Sequence, residues 1–134
     1  MTRLARANLI LLVLVLVHSA DHAFHQPTRH YTTEIIVPGI LGPLAVALVL
    51  MLALRRRPEA APLSVFIGLT TAAGFVAVHL LPYWGSFSDP YVDVPSLDAV
   101  SWALVFAPIF AALLVVVRGT QELLAARRAR PAAS

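Results

Sequence analysis

A chain of 134 residues with 59% hydrophobic side chains and a formal charge of +3 is one small domain at most. Its mean hydropathy of +0.80 is too high for an ordinary soluble fold. Cysteine is absent, which excludes disulfides, thiolate metal sites and cysteine nucleophiles. The positive charge is no nucleic-acid footprint, because all ten basic residues are arginines beside apolar runs, where they act as topology signals. With the heavy Ala, Val, Leu and Pro usage, this arginine-only set points to a high-GC bacterial genome.

The first apolar run covers about residues 4–24, behind Arg3 and Arg6. Gln26-Pro27-Thr28 ends it, and Thr32-Thr33-Glu34 reads as a helix start, with hydroxyl caps and an acid in the first turn. A second run, 34–54, contains Pro38-Gly39 and Gly42-Pro43 and stops at Arg55-Arg56-Arg57-Pro58. The third, 63–83, opens after Pro62, carries Ser64, Gly68 and Ala72 four residues apart, and closes at Pro82. That small-residue ridge lets another helix approach closely and is a candidate docking face. The loop "YWGSFSDPYVDVPS" comes next. The fourth run, 98–117, has Ser96 as its expected cap and Pro108 in its middle, and the basic segment 118–134 reads as a cytoplasmic tail. The prolines within runs two and four are kink sites.

Each run is about the 20 residues a helix needs to cross roughly 30 Å of hydrocarbon. The runs are continuous rather than alternating, which argues against strands. The expected fold is therefore an all-α membrane protein, a four-transmembrane-helix bundle. Nine arginines lie before run one, between runs two and three, or after run four, and only Arg29 lies elsewhere. The positive-inside rule puts both termini and the 55–62 loop in the cytoplasm. The bacterial plasma membrane is the expected location, and the lipid bilayer the one sure partner. A homo-oligomer or a larger membrane complex fits as well, and nucleic acid does not. A competing anatomy reads Arg3, Arg6, the short apolar core and Ser19-Ala20 as a signal peptide cleaved after Ala20. His18 at the −3 position fits that poorly.

The chemistry-bearing residues gather at the outward ends. His18, Asp21, His22 and His25 fall within about a 100° arc of one helix face. Measured along the helix, His18 lies roughly 18 Å and His22 roughly 24 Å beyond Arg6, and His79 lies roughly 25 Å beyond Pro62. His79 therefore meets His22 if runs one and three touch. "LVLVH" before His18 and "FVAVH" before His79 echo one another and hint at related positions. Ionisable residues at membrane depth face the bundle interior and mark function by default. Histidines four apart on one face can share a metal ion. His18 and His25 stand about 10 Å apart, too far to do so. Two triads remain, His18 with His22 and His79, or His22 with His25 and His79. Asp21 is able to ligate directly or to orient an imidazole.

Such donors suit a divalent transition metal, zinc, iron, nickel or copper(II), with zinc or iron the expected ion and haem less expected because it needs more room. Met1 and Met51 belong to the cytoplasmic side, which disfavours copper(I). A proton-linked carrier using the same histidines and a non-catalytic accessory subunit stand beside the metal reading. An enzyme is less expected, since a dinuclear hydroxylase centre needs more histidines than the chain has. No phosphate-binding glycine loop or nucleophile elbow is present.

Through "GFVAVHLLPYWGSFSDPY" at 74–91 and "HSADHAFHQP", nearly the whole chain resembles a set of small actinobacterial four-span integral membrane proteins. That resemblance implies a four-span fold in a bacterial plasma membrane and carries no assigned activity or site residues.

Overall fold

The computed structural model describes residues 1–25 and 33–129. The first break, Gln26-Pro27-Thr28, and Arg29 lie outside the described residues. Four long helices account for the architecture, and no strand occurs among the described residues. They are α1 (Arg3–Phe24), α2 (Thr33–Leu54), α3 (Ala60–Phe75) and α4 (Ala99–Arg128). A π-helical turn, Val76–Leu80, continues α3, and a short 3-10 turn, Tyr91–Asp93, lies in the loop before α4. All four helices are long and apolar enough to cross a membrane. α4, with 30 residues, is about 45 Å long. It runs on as one helix through Arg118 to Arg128, so the described part of the basic tail is helical.

Local sequence explains the helix ends. Thr2 caps α1 by accepting a hydrogen bond from the Ala5 amide at 3.1 Å. α3 begins at Ala60 rather than at Leu63, because Pro62 falls in the first turn, where no amide donor is needed. With its π-helical continuation the third span ends at Leu80 rather than at Tyr83. The residue before Pro82 is pushed out of the helical region, and Leu81 is extended, with ψ 151°. Ser96 does not cap α4. Asp98 does, standing next to Ala99 and accepting from the Ser101 amide at 2.8 Å. Arg56 takes φ 53° just past α2. There the Arg56 and Arg57 amides donate back to the Ala53 and Leu52 carbonyls, closing the helix as a Schellman-type turn.

α4 packs against α3 and α1, and α2 packs on the α1 and α3 pair. The ridge of Ser64, Gly68 and Ala72 is buried, with α1 meeting it at Ser64 through Asn8 and α4 at Gly68. A Cβ on Gly68 would stand 2.7 Å from the Ala112 carbonyl oxygen and 2.8 Å from Val116. The ridge is therefore an internal seam and not a face offered to a partner. Gly119 of α4 repeats the arrangement, with a Cβ there falling 2.9 Å from the Ala61 carbonyl oxygen. Close backbone approach of this kind is how helices gain van der Waals contact in lipid. Leu4, Ala5, Leu50, Ala53, Ala60 and Ala61 form one core at the arginine end of the bundle. Leu11, Val15, Val46, Tyr91, Val105 and Ile109 belong to a second, which reaches the opposite, histidine end.

Candidate metal centre

Helical spacing puts His18 and His22 one turn apart on α1, with ring centroids 4.6 Å apart in a T-shaped contact. His79 comes from the π-helical turn of the third span. Its ring lies 4.9 Å from His18 and 5.3 Å from His22. A π turn widens the helix by one residue and so re-aims the side chains it carries, a device frequent at functional sites. One ring nitrogen from each of the three histidines lies within 4.8 Å of the other two. Tetrahedral coordination at about 2.0 Å would place such nitrogens roughly 3.3 Å apart, so small side-chain rotations close the site.

The rings are held by their other nitrogens. His79 Nδ1 lies 3.1 Å from the Asp89 backbone oxygen. A carbonyl only accepts, so Nδ1 carries the proton and Nε2 keeps its lone pair. His22 Nδ1 faces Asp89 Oδ2 at 3.5 Å, while its Nε2 lies 3.1 Å from the Tyr91 hydroxyl. The consistent assignment has Nδ1–H directed at the carboxylate and Nε2 accepting from Tyr91. The backbone carbonyl of Leu104 in α4 faces the His18 ring. Pro108, four residues on, has no N–H to offer the Leu104 carbonyl, which leaves that oxygen for the imidazole. His18 Nδ1 is buried with no hydrogen-bond partner. A buried polar atom left so is costly, and a metal ion would use its lone pair.

Around the triad the chain supplies an aromatic wall. Phe75 packs 4.8 Å from His18 and 5.6 Å from His79. Tyr91, only 1% exposed, stands edge-on to His79 at 4.9 Å and is itself met edge-on by Trp102 at 5.8 Å. The loop before α4 is folded onto the site. The Asp89 amide donates to the Val78 carbonyl at 3.0 Å, and the Trp84 indole donates to the Ala77 carbonyl at 2.6 Å. The Ser88 hydroxyl donates to the Gly85 carbonyl at 2.7 Å. Gly85 has φ +154°, a conformation that side-chain-bearing residues rarely adopt.

The two triads open from sequence are thus separated. His18, His22 and His79 come together. His25 does not join them, because it stands at the helix end with its side chain 80% exposed, where its Nδ1 is 4.0 Å from Asp21 Oδ1. Asp21 is buried, and its Oδ2 accepts from the Ser101 hydroxyl at 2.8 Å, tying α1 to α4. Neither HSADH spacing nor hydropathy pointed to Asp89, Tyr91, Ser101 or Leu104. Two signals were nonetheless present. "SDPY" puts an acid and a phenol in the loop after His79, and Pro108 marks Leu104 as the carbonyl deprived of its helical donor.

No family model, curated protein sequence or solved structure matches the chain. The geometry of the site therefore carries the functional argument alone.

Proposed function

We propose that this chain is a multi-pass bacterial plasma-membrane protein that holds one divalent transition-metal ion, zinc or iron(II), on His18, His22 and His79. The observation that carries the reading is the convergence of the three rings together with the unpartnered, buried Nδ1 of His18. Imidazoles bound through one nitrogen and steadied through the other are the usual design of metal-ligating histidine, and Asp89 and Leu104 supply the steadying oxygens. Two buried carboxylates nearby, Asp21 and Asp89, favour a cation. Haem is disfavoured because the rings stand in edge contact, leaving no slot for a macrocycle between them.

Both termini are assigned to the cytoplasm because the described arginines cluster at one end of the bundle. The positive-inside rule fixes that end, and the histidines open at the other, outward-facing end. The small-residue ridge is buried inside the bundle, so it offers no docking face in support of an accessory role.

The test is zinc titration of metal-stripped, detergent-purified protein by calorimetry. The wild type binds one ion. His22→Ala and His79→Ala each weaken binding by about 100-fold or more, since two imidazoles do not make a site. His25→Ala leaves the affinity within about twofold, as expected for a side chain outside the ligand set. Equal affinity in wild type, His22→Ala and His79→Ala would refute the metal reading.

A further inference from the structure

We propose that Tyr91 is the fourth ligand, an oxygen donor that completes a site of three imidazoles and one phenolate. The inference rests on the metal reading above and adds a donor that no helical spacing reveals.

The Tyr91 hydroxyl lies 3.1 Å from His22 Nε2. Two donors on one tetrahedral ion stand roughly 3.3 Å apart, so the oxygen is already about one ligand–ligand edge from that nitrogen. Its ring touches all three imidazoles, with centroid distances of 4.9 Å to His79, 5.7 Å to His22 and 6.3 Å to His18. Trp102 braces the other side, and the 3-10 turn is closed by the Val94 amide on the Tyr91 carbonyl at 3.1 Å. A phenol packed this way brings its hydroxyl to the edge of the triad at His22, within reach of the same small rotations that close the site.

The competing oxygen donors point elsewhere. Asp89 Oδ2 lies on the Nδ1 side of His22, away from the nitrogen that would ligate, so it orients the ring. Asp21 Oδ2 is engaged by Ser101. An ion at His22 Nε2 takes the lone pair that the hydroxyl now uses. The phenol O–H bond then breaks, a metal–oxygen bond forms, and the proton passes to water at the protein surface. The metal keeps its oxidation state. A phenolate with three imidazoles suits zinc, iron and copper(II), and excludes the soft copper(I) ion.

The experiment uses full-length protein and two probes, copper(II) for spectroscopy and zinc for affinity. With one equivalent of copper(II), the wild type should show an intense phenolate-to-copper charge-transfer band. Tyr83→Phe should keep it. Tyr91→Phe should lose it and bind zinc about tenfold more weakly or worse, a loss on the scale seen when support for a metal site is removed. A wild-type spectrum without the band decides against Tyr91 even if the variant folds poorly. Stoichiometric, His22-dependent copper without the band overturns the Tyr91 assignment and leaves the three-histidine site standing. Survival of the band in Tyr91→Phe also overturns it. Absence of any bound ion in the wild type removes both readings.

Discussion

The two ends of this bundle are built on opposite terms. At the arginine end, helices meet through glycine, alanine and serine. Gly68 and Gly119 allow backbone contact between α3 and α4, and Asn8 donates across to the Ser64 hydroxyl at 3.0 Å. At the histidine end, polar and aromatic side chains, among them His18, His79, Tyr91 and the Asp21–Ser101 pair, mediate the approach. The helix carrying His79 loosens into a π turn, and α2 contributes little, being exposed from Ile36 to Leu44 apart from half-buried Pro43. Packing thus holds the fold at one end, and hydrogen bonds arrange donors at the other. Local departures from regular structure collect where function is expected to reside.

The sharpest way to break this division is to add bulk at the inner seam. Gly119→Ala brings a methyl against a backbone carbonyl at 2.9 Å, which cannot yield as a side-chain tip would. Overpacking of that kind costs about 1–3 kcal/mol, and Gly119→Leu should cost more. Thermal unfolding in detergent checks it. By contrast His79→Ala, at the other end, should shift the metal-stripped protein's transition by less than Gly119→Ala does while weakening zinc binding about 100-fold or more. Reversal of that order would mean that the histidine cluster is the structural element.

Next in size is Asp89→Asn. It keeps the backbone oxygen that His79 donates to and weakens the acceptor facing His22 Nδ1. Zinc affinity should fall about tenfold, the lower range for a group that supports a ligand, with the one-ion stoichiometry intact. An unchanged affinity would show that the loop only covers the site.

How far the sequence foretold this tracks the same division. The four helices, their approximate ends and the depth match of His22 with His79 were legible, because hydropathy and a 1.5 Å rise per residue determine them. Ser64, Gly68 and Ala72 were legible as a close-packing ridge, but not as an internal one, since spacing does not say which helix covers it. The exclusion of His25 needed the end of α1, where the side chain turns into the open. Asp89 and Tyr91 could be seen in the sequence as an acid and a phenol but not placed at the site, because a loop has no periodicity. Their positions depend on hydrogen bonds from Ser88 and Asp89 to Gly85 and Val78, which only the folded chain brings together. Ser96 and Asp98 are both good N-caps by residue type, and only the register of the first turn of α4 decides between them.

A smaller effect sharpens the picture of the arginine end. Arg56 occupies φ 53°, a left-handed conformation that costs a side-chain-bearing residue about 1–2 kcal/mol. Arg56→Gly should raise the unfolding temperature slightly and leave zinc affinity untouched. Because Arg55 and Arg57 remain, topology should be preserved as well.

The smallest effect concerns the start of α4. Hydrogen bonding from the Ser101 amide, foremost among its causes, lowers the Asp98 pKa below its usual 3.8. A carboxylate depressed by folding stabilises the fold above its unfolded pKa. That contribution is lost as pH falls through the lower, folded value. The first turn of α4 should therefore fray in the acid range below the ordinary aspartate pKa, read as faster hydrogen exchange at the Ser101 amide. Asp98→Asn keeps a capping oxygen without the charge and should flatten that pH dependence. Ser101 also donates its hydroxyl to Asp21 of α1, so losing the cap should loosen the α1 and α4 contact beside the histidines. If exchange at Ser101 rises in acid but Asp21 keeps its partner, the cap and the site are independent. If both change together, the first turn of α4 is part of what holds the triad in place.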